Sequence, residues 1–306
     1  MTSTPPPVFG PRVIVATAEL AAALRRATAS GALLRIRRGA YVDAAEVGEG
    51  WQAAEQLARA RAVAVVRAAT APVWLSHESA ALLWALPLLR VPAVTHVVQR
   101  HHPGSRRDRA VLRHRVDLPP SHRAEVEGLP VTSLERTALD CACSLPGPAA
   151  LAAVDGALRR GADTDAMRAI LADRVGGRGV VTARRTLTWA DARAESPGES
   201  AARWACLAGG LPAPELQHAI RTRIGTFYAD LAWPDLHVVA EFDGAVKYSG
   251  AYGPGGQVLV AEKRRQDAIE EAGWVVIRIT WADLKDLGEL AARVRRAARR
   301  APRGAR

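Results

Sequence analysis

At 306 residues the chain is too long for one ordinary domain and long enough for two or three, each with its own core. Hydrophobic residues make up 49% and charged ones 24%, a balance that excludes a disordered or fibrous chain. A formal net charge of +11 points to a polyanionic partner, nucleic acid ahead of an acidic membrane, because no amphipathic anchor is evident.

The most apolar stretch, residues 80–89, is short and interrupted by Pro87, well under the ~18 residues of a membrane span. The start, Met1-Thr-Ser-Thr-Pro-Pro-Pro7, has neither the cationic nor the apolar part of a signal peptide, so a cytoplasmic location without membrane association is expected. Cys141, Cys143 and Cys206 lack metal-ligand spacing and fit buried thiols in a reducing compartment. Lysine occurs only at Lys247, Lys263 and Lys285, all in the last third, while arginine supplies every other side-chain cation. A coding bias toward arginine would explain much of the charge, and under such a bias a retained lysine marks a place that needs a compact ammonium. The tail from Arg293 to Arg306, with Arg295, Arg296, Arg299 and Arg300, carries no acid, as a phosphate-contacting arm would.

Along the chain, Thr17 to Ala29 has helical spacing with Thr17 as N-cap, and Gly31 ends it. Leu33 to Val42 reads as two short strands around Arg38-Gly39, so a helix followed by a basic hairpin suggests a winged helix-turn-helix whose wing offers Arg35, Arg37 and Arg38 to phosphates. Trp51 to Ala69 is a further helix. Ser76-His77-Glu78-Ser79 opens an apolar helix through Leu89, with Ser76 read as a cap, because adjacent residues in a first turn point apart and cannot relay a proton. Strands follow at Thr95–Gln99, Ala110–Val116 and Leu129–Val131. His96, His101, His102, His114 and His122 match no ligand spacing and are read as surface or groove histidines. Thr132-Ser-Leu-Glu135 is a capping box for a helix through Cys143. Helices over 149–159 and 165–173 and another after Gly176-Gly-Arg-Gly179 precede a break at Glu195-Ser-Pro-Gly198.

The last third reads as a helix from Ser196 to Ala208, strands at Glu215–Arg221, Thr226–Trp233 and His237–Asp243, a helix over 258–272, a strand over 274–280 and a final helix from Trp281. Neighbouring strands carrying Asp230 and Glu241 near the same end bring two acids together, and alternation sends Glu241 and Asp243 to one face. Acids clustered this way suit Mg²⁺ (or Mn²⁺), a hard ion held by carboxylates, water and phosphate.

With the opening Ser196-Pro-Gly-Glu-Ser200, Tyr228-Ala-Asp230, the block Val239-Ala-Glu-Phe-Asp-Gly-Ala-Val-Lys-Tyr248, Glu262-Lys-Arg-Arg-Gln-Asp267, and Gly273 to Arg278 with Trp281 to Leu284, this part resembles the PD-(D/E)XK nuclease superfamily, in its branch similar to very-short-patch-repair endonucleases. The resemblance implies that Asp230 and Glu241 hold the metal, that Asp243 stands at the superfamily's lysine position, and that Glu199 supports the ion. The ammonium must then come from Lys247 or Lys263. Glu199 also completes a capping box with Ser196, and Arg264, Asp267 and Arg278 read as a structural ion-pair set. In the first half, Leu33 to Val42, Leu75-Ser-His-Glu-Ser-Ala-Ala81 and Val131-Thr-Ser-Leu-Glu-Arg-Thr-Ala-Leu-Asp140 resemble AbiEi-type antitoxin domains, which implies a winged helix and transcriptional autoregulation.

The sequence thus predicts an α/β (α+β) protein: a winged-helix-like region over 1–70, an AbiEi-like mixed α/β region over 71–195, and a restriction-endonuclease-like α-β-β-β-α-β-α domain with a basic tail over 196–306. The expected function is a Mg²⁺-dependent DNA endonuclease with an antitoxin-like DNA-binding region, and the alternative is a non-catalytic DNA-binding transcriptional regulator or antitoxin of a type IV toxin-antitoxin system. DNA is the expected partner of both, and a cognate toxin that of the second.

Overall fold

A computed structural model describes residues 10–100, 108–244 and 255–301 of the chain. Among the described residues the fold is mixed α/β with three sheets, and the chain divides into two compact units, one of residues 1–144 and 162–178, the other of residues 145–161 and 179–306. Among the described residues no helix is long and apolar enough to cross a membrane.

The first unit begins with a three-stranded sheet in the order β1-β3-β2, where β1 is Ile14–Val15, β2 is Leu33–Arg37 and β3 is Ala40–Asp43. Helix α1 (Ala21–Ala29) starts four residues later than Thr17, because Thr17 Oγ1 accepts from Leu20 N–H at 3.4 Å and the chain turns before it coils. The β2–β3 hairpin forms at the expected turn, where Gly39 takes a left-handed φ of 77°. Val13, Ala40 and Val42 pack on Ala60 and Ala64 of α2 (Gly50–Arg67), so the small sheet lies on one long helix.

A five-stranded sheet follows in the order β6-β5-β4-β8-β7, with β4 at Trp74–Leu75, β5 at Thr95–Gln99, β6 at Val111–Arg115, β7 at Arg123–Val126 and β8 at Leu129–Thr132. Strand β4 escapes a sequence reading because two residues show no alternation. Helix α3 (His77–Leu83) is shorter than expected: Ala85 adopts φ 47° and Pro87 follows, so the coil cannot run to Leu89. Helix α4 (Leu134–Ser144) is capped by Ser133 Oγ, which accepts from Arg136 N–H at 3.2 Å, while Thr132 Oγ1 meets Thr137 Oγ1 at 2.7 Å. The cap is therefore one residue later than the capping box placed it.

The second unit gathers α5 (Gly147–Arg159), α7 (Val180–Trp189) and α8 (Pro197–Ala208) with a sheet in the order β12-β11-β10-β9. Strands β9 (Glu215–Thr222), β10 (Gly225–Trp233) and β11 (Val238–Phe242) form an antiparallel meander, and β12 (Val275–Ile279) joins β11 in parallel. Helices α9 (Gly255–Glu271) and α10 (Leu287–Arg300) complete the α-β-β-β-α-β-α order. Val238 and Ala240 face a core shared with Ala202 and Cys206 of α8 and Leu290 and Val294 of α10. Val239 faces the opposite way, toward Ile269 of α9. With both faces covered, β11 is buried from Val238 to Glu241, which is why its run of apolar residues shows no polar alternation.

What joins α5 to α8 is charge. Asp155, 1% exposed, accepts from the Arg203 guanidinium, from Ser200 Oγ at 2.7 Å and from Asp191 N–H at 2.8 Å. Close approach completes the contact: a Cβ built on Gly147 would lie 2.0 Å from Trp204 Cζ2. Gly147→Ala is therefore expected to destabilise the protein by roughly 1–3 kcal/mol, the usual penalty of overpacking, read as a lower midpoint in urea unfolding.

Candidate functional site

The carboxylates expected to hold a cation sit on the predicted strands but are occupied by the protein itself. Leu231 pairs with Ala240 at the end of the β10–β11 ladder, so Asp230 and Glu241 stand next in register. Asp230 Oδ2 then accepts from Phe242 N–H at 2.7 Å, continuing the ladder through a side chain. Glu241, 8% exposed, receives both guanidinium nitrogens of Arg265 from α9, with Nη1 to Oε1 at 2.7 Å. Arg265 also binds Glu262, which binds Arg278, and Arg278 lies 3.8 Å from Asp243. This alternating chain of acids and arginines, with Arg265 and Glu262 where the sequence suggested Arg264 and Asp267, covers the α9 face of the strands. Burial pushes the Glu262 carboxyl up, but hydrogen bonds from Arg265 and Arg278 outweigh it and bring the pKa to about 2.

Glu199, 6% exposed, is the expected capping residue: its N–H donates to Ser196 Oγ at 3.1 Å and its Oε2 accepts from Glu195 N–H at 2.9 Å. Burial raises its pKa, so it is a poorer anion than a free glutamate. Lys263 is exposed on α9, and Lys247 lies outside the described residues. Among the described residues Asp230, Glu241, Asp243 and Glu199 do not form a three-ligand group. As arranged, these residues do not fit Mg²⁺ or Mn²⁺. A hard cation would have to displace a bidentate guanidinium from Glu241.

The basic residues divide by exposure. Arg35 and Arg38 of the hairpin are exposed, whereas Arg37 turns inward to Ala64 O at 3.1 Å and Asp108 Oδ2 at 3.0 Å. On α10, Leu290, Ala291, Val294 and Ala297 are buried, and Arg295, Arg296, Arg299 and Arg300 line the exposed side. Of these, Arg295 donates to Gly209 O and Arg296 pairs with Glu289. The first unit also holds a cavity of about 590 Å³ lined by Trp74, Arg100, Arg113 and Arg123, the last stacked 4.6 Å from the Trp74 ring centroid.

One group among the described residues is able to hold a metal, in contrast to the surface or groove positions expected for His96 and His114: His77, His96 and His114, each offering a nitrogen within 4.8 Å of the others. Ser76 ends β4's connection and His77 begins α3 with φ 50°, a left-handed conformation that histidine tolerates better than most residues. That kink lets Ser76 Oγ and His77 Nδ1 meet at 3.0 Å, so these adjacent side chains do touch. His96 lies on β5, buried along its whole length, and His114 on the parallel neighbour β6. His96 Nδ1 and His114 Nε2 are 3.1 Å apart, and the His77 ring stacks on His114 at 3.8 Å between centroids. Glu78 Oε2 stands 3.7 Å from His96 Nε2.

Beneath the cluster is Asp140 of α4, 1% exposed, which accepts from Arg136 Nε at 3.0 Å and from Arg174 Nη2 at 2.7 Å, with His77 Nδ1 at 4.0 Å. Burial alone raises its pKa, but His77, Arg136 and Arg174 hold it below the usual carboxylate value. Burial drives the imidazoles the other way: His77 falls to about 3 and His96 to about 4, with their histidine neighbours adding to the fall. His114 is lowered by the same cause. All three are uncharged at neutral pH. The signal for the cluster in the sequence is joint: a histidine inside the apolar strand Thr-His-Val-Val-Gln, and two motifs, Leu75 to Ala81 and Val131 to Asp140, that supply His77 and Asp140 to this point. His101 and His102 lie outside the described residues.

Residues 62–188 match the family described as the AbiEi antitoxin C-terminal domain, a span that holds the three histidines, Arg136, Asp140 and Arg174. Two uncharacterized proteins of Mycobacterium tuberculosis, from strain CDC 1551 / Oshkosh and strain ATCC 25618 / H37Rv, are each 38% identical over 175 residues, 56% of this chain. The chain spans 62% of the length of those relatives. The crystal structure of the RV2827C protein from Mycobacterium tuberculosis is similar over 65% of this chain and 76% of that one, at 15% identity and a TM-score of 0.35.

The depressed imidazole pKa values fix a pH response. Unfolded histidines near 6.5 bind protons that folded His77 and His96 refuse down to about 3 and 4, so the unfolded state gains protons as pH falls below 6.5. Stability is complete above that value and declines below it, by about 1.4 kcal/mol per pH unit for each histidine. Urea unfolding in metal-free buffer is expected to show a loss of roughly 2–4 kcal/mol between pH 7 and pH 5. In His96→Gln the loss shrinks by about half, and an unchanged pH slope in that variant contradicts the assignment.

Proposed function

We propose that this chain is a DNA-binding regulator of antitoxin type, in which the C-terminal unit keeps a nuclease-like order of elements and serves binding. The observation that carries this reading is the bidentate closure of Arg265 on Glu241, which takes both oxygens a catalytic cation would need. The family match over residues 62–188 supports the antitoxin part. The exposed arginines support the partner: Arg35 and Arg38 on one unit and Arg299 and Arg300 on the other present guanidinium groups suited to phosphate oxygens. A toxin partner is proposed on the same family ground.

In a mobility-shift titration with duplex DNA from the chain's own promoter, binding is expected without divalent cation and to weaken steeply with salt. Arg299→Ala combined with Arg300→Ala lowers the slope of log affinity against log salt by about 0.9 for each phosphate that is no longer neutralised. A slope identical to that of the unaltered chain rules these arginines out of the interface.

One observation favours a second reading, a metal-dependent endonuclease: Asp230 and Glu241 stand side by side in register where β10 and β11 part. Plasmid incubated with Mg²⁺ or Mn²⁺ separates the two. The binding reading expects no more nicking than from the variant carrying Asp230→Ala and Glu241→Ala, and cleavage confined to the unaltered protein restores the catalytic one.

A further inference from the structure

We infer that His77, His96 and His114 form a binding site for a transition-metal dication, with zinc the ion of choice. Three elements that are far apart in sequence, α3, β5 and β6, each deliver one imidazole to the same point, and one nitrogen from each lies within 4.8 Å of the others. Zinc bound tetrahedrally at about 2.0–2.1 Å from each nitrogen sets its ligand atoms about 3.4 Å apart. His96 Nδ1 and His114 Nε2, at 3.1 Å, already have that bite.

The surrounding groups say which nitrogens face the ion. His96 turns Nε2 toward Glu78 Oε2 at 3.7 Å, leaving Nδ1 for the metal. His77 turns Nδ1 toward Ser76 Oγ at 3.0 Å and Asp140 Oδ2 at 4.0 Å, leaving Nε2. In both cases the outward nitrogen faces a carboxylate within 4.0 Å, and a small rotation of the side chains closes the carboxylate–histidine–metal arrangement that fixes tautomer and ring orientation at metal centres. Glu78 and Asp140 are thus positioning residues. Because Arg136 and Arg174 neutralise Asp140, Glu78 is the anion left to balance an added dication. An all-imidazole donor set favours zinc, copper or nickel over magnesium or calcium. Binding requires His77 to unstack from His114, a movement on the order of 1 Å for the ligand atom. Three protein ligands leave a fourth position for water or an incoming donor. The site does not rest on DNA binding, and it stands or fails separately from the proposed function.

The test uses the full chain without a polyhistidine tag, stripped with EDTA and titrated with Zn²⁺ by calorimetry and with Co²⁺ by visible absorption. One equivalent is expected to bind, with the intense d–d bands of tetrahedral Co²⁺, and Zn²⁺ raises Tm in step with its free concentration. His114→Gln, at the half-exposed edge of the cluster, and His96→Gln abolish the Co²⁺ bands, whereas His218→Gln on β9 leaves them intact. Glu78→Gln weakens Zn²⁺ affinity about 10–100-fold, and Glu78→Asp restores part of it. Absence of both the Co²⁺ bands and a Zn²⁺-dependent Tm shift overturns the inference, as does their persistence in His114→Gln. If His96→Gln does not fold, His114→Gln alone carries the result.

Discussion

The first unit is organised around one carboxylate withdrawn from water. Asp140 sits at the middle of α4, 1% exposed, and a charge in that position is tolerable only if cations meet it. Arg136 comes from one turn earlier on the same helix and Arg174 from beyond α6 (Thr164–Ala172), so the carboxylate ties the end of that helical segment to α4. His77 then lies above it at the start of α3. The sheet brings β5 and β6 to the same place, and the histidines they carry are forced together. The cluster is a consequence of where Asp140 is buried as much as of the histidines themselves.

The second unit repeats the device with different parts. Asp155 fastens α5 to α8 through Arg203, and Glu241 fastens β11 to α9 through Arg265. Arginine suits this role because its planar fork satisfies both oxygens of a carboxylate at once. Arg59, Arg136 and Arg203 are 4–5% exposed, so part of the chain's cationic excess serves the interior. The net charge overstates how much of it faces a partner, and the positions that do face outward, on the β2–β3 hairpin and along α10, carry the nucleic-acid reading.

That division explains why the nuclease-like residues were legible and their state was not. Strand alternation and turn spacing correctly set Asp230 and Glu241 next to each other in register. Whether adjacent acids hold a cation depends on what α9 presents to them, and Arg265 stands 24 residues beyond Glu241 in sequence. Nothing in the strand itself distinguishes a carboxylate awaiting a metal from one answered by an arginine. The histidines are the opposite case. Separated by long intervals, they match no motif of ligand spacing, and only the pairing of β5 with β6 in register Val98 to His114 brings two of them within reach.

The sequence by itself determined the elements whose signals are local. Apolar periodicity, Ser196 with Glu199, the Arg38-Gly39 turn and the meander from Glu215 to Phe242 each rest on residues a few positions apart. Tertiary structure decided the long-range partners of Asp140, Asp155 and Glu241, the early end of α3, the clustering of α5 and α7 with the last sheet, and the meeting of His77, His96 and His114. Those outcomes follow from desolvation, which acts on whatever the folded chain brings together and leaves no mark in the spacing of the residues it joins.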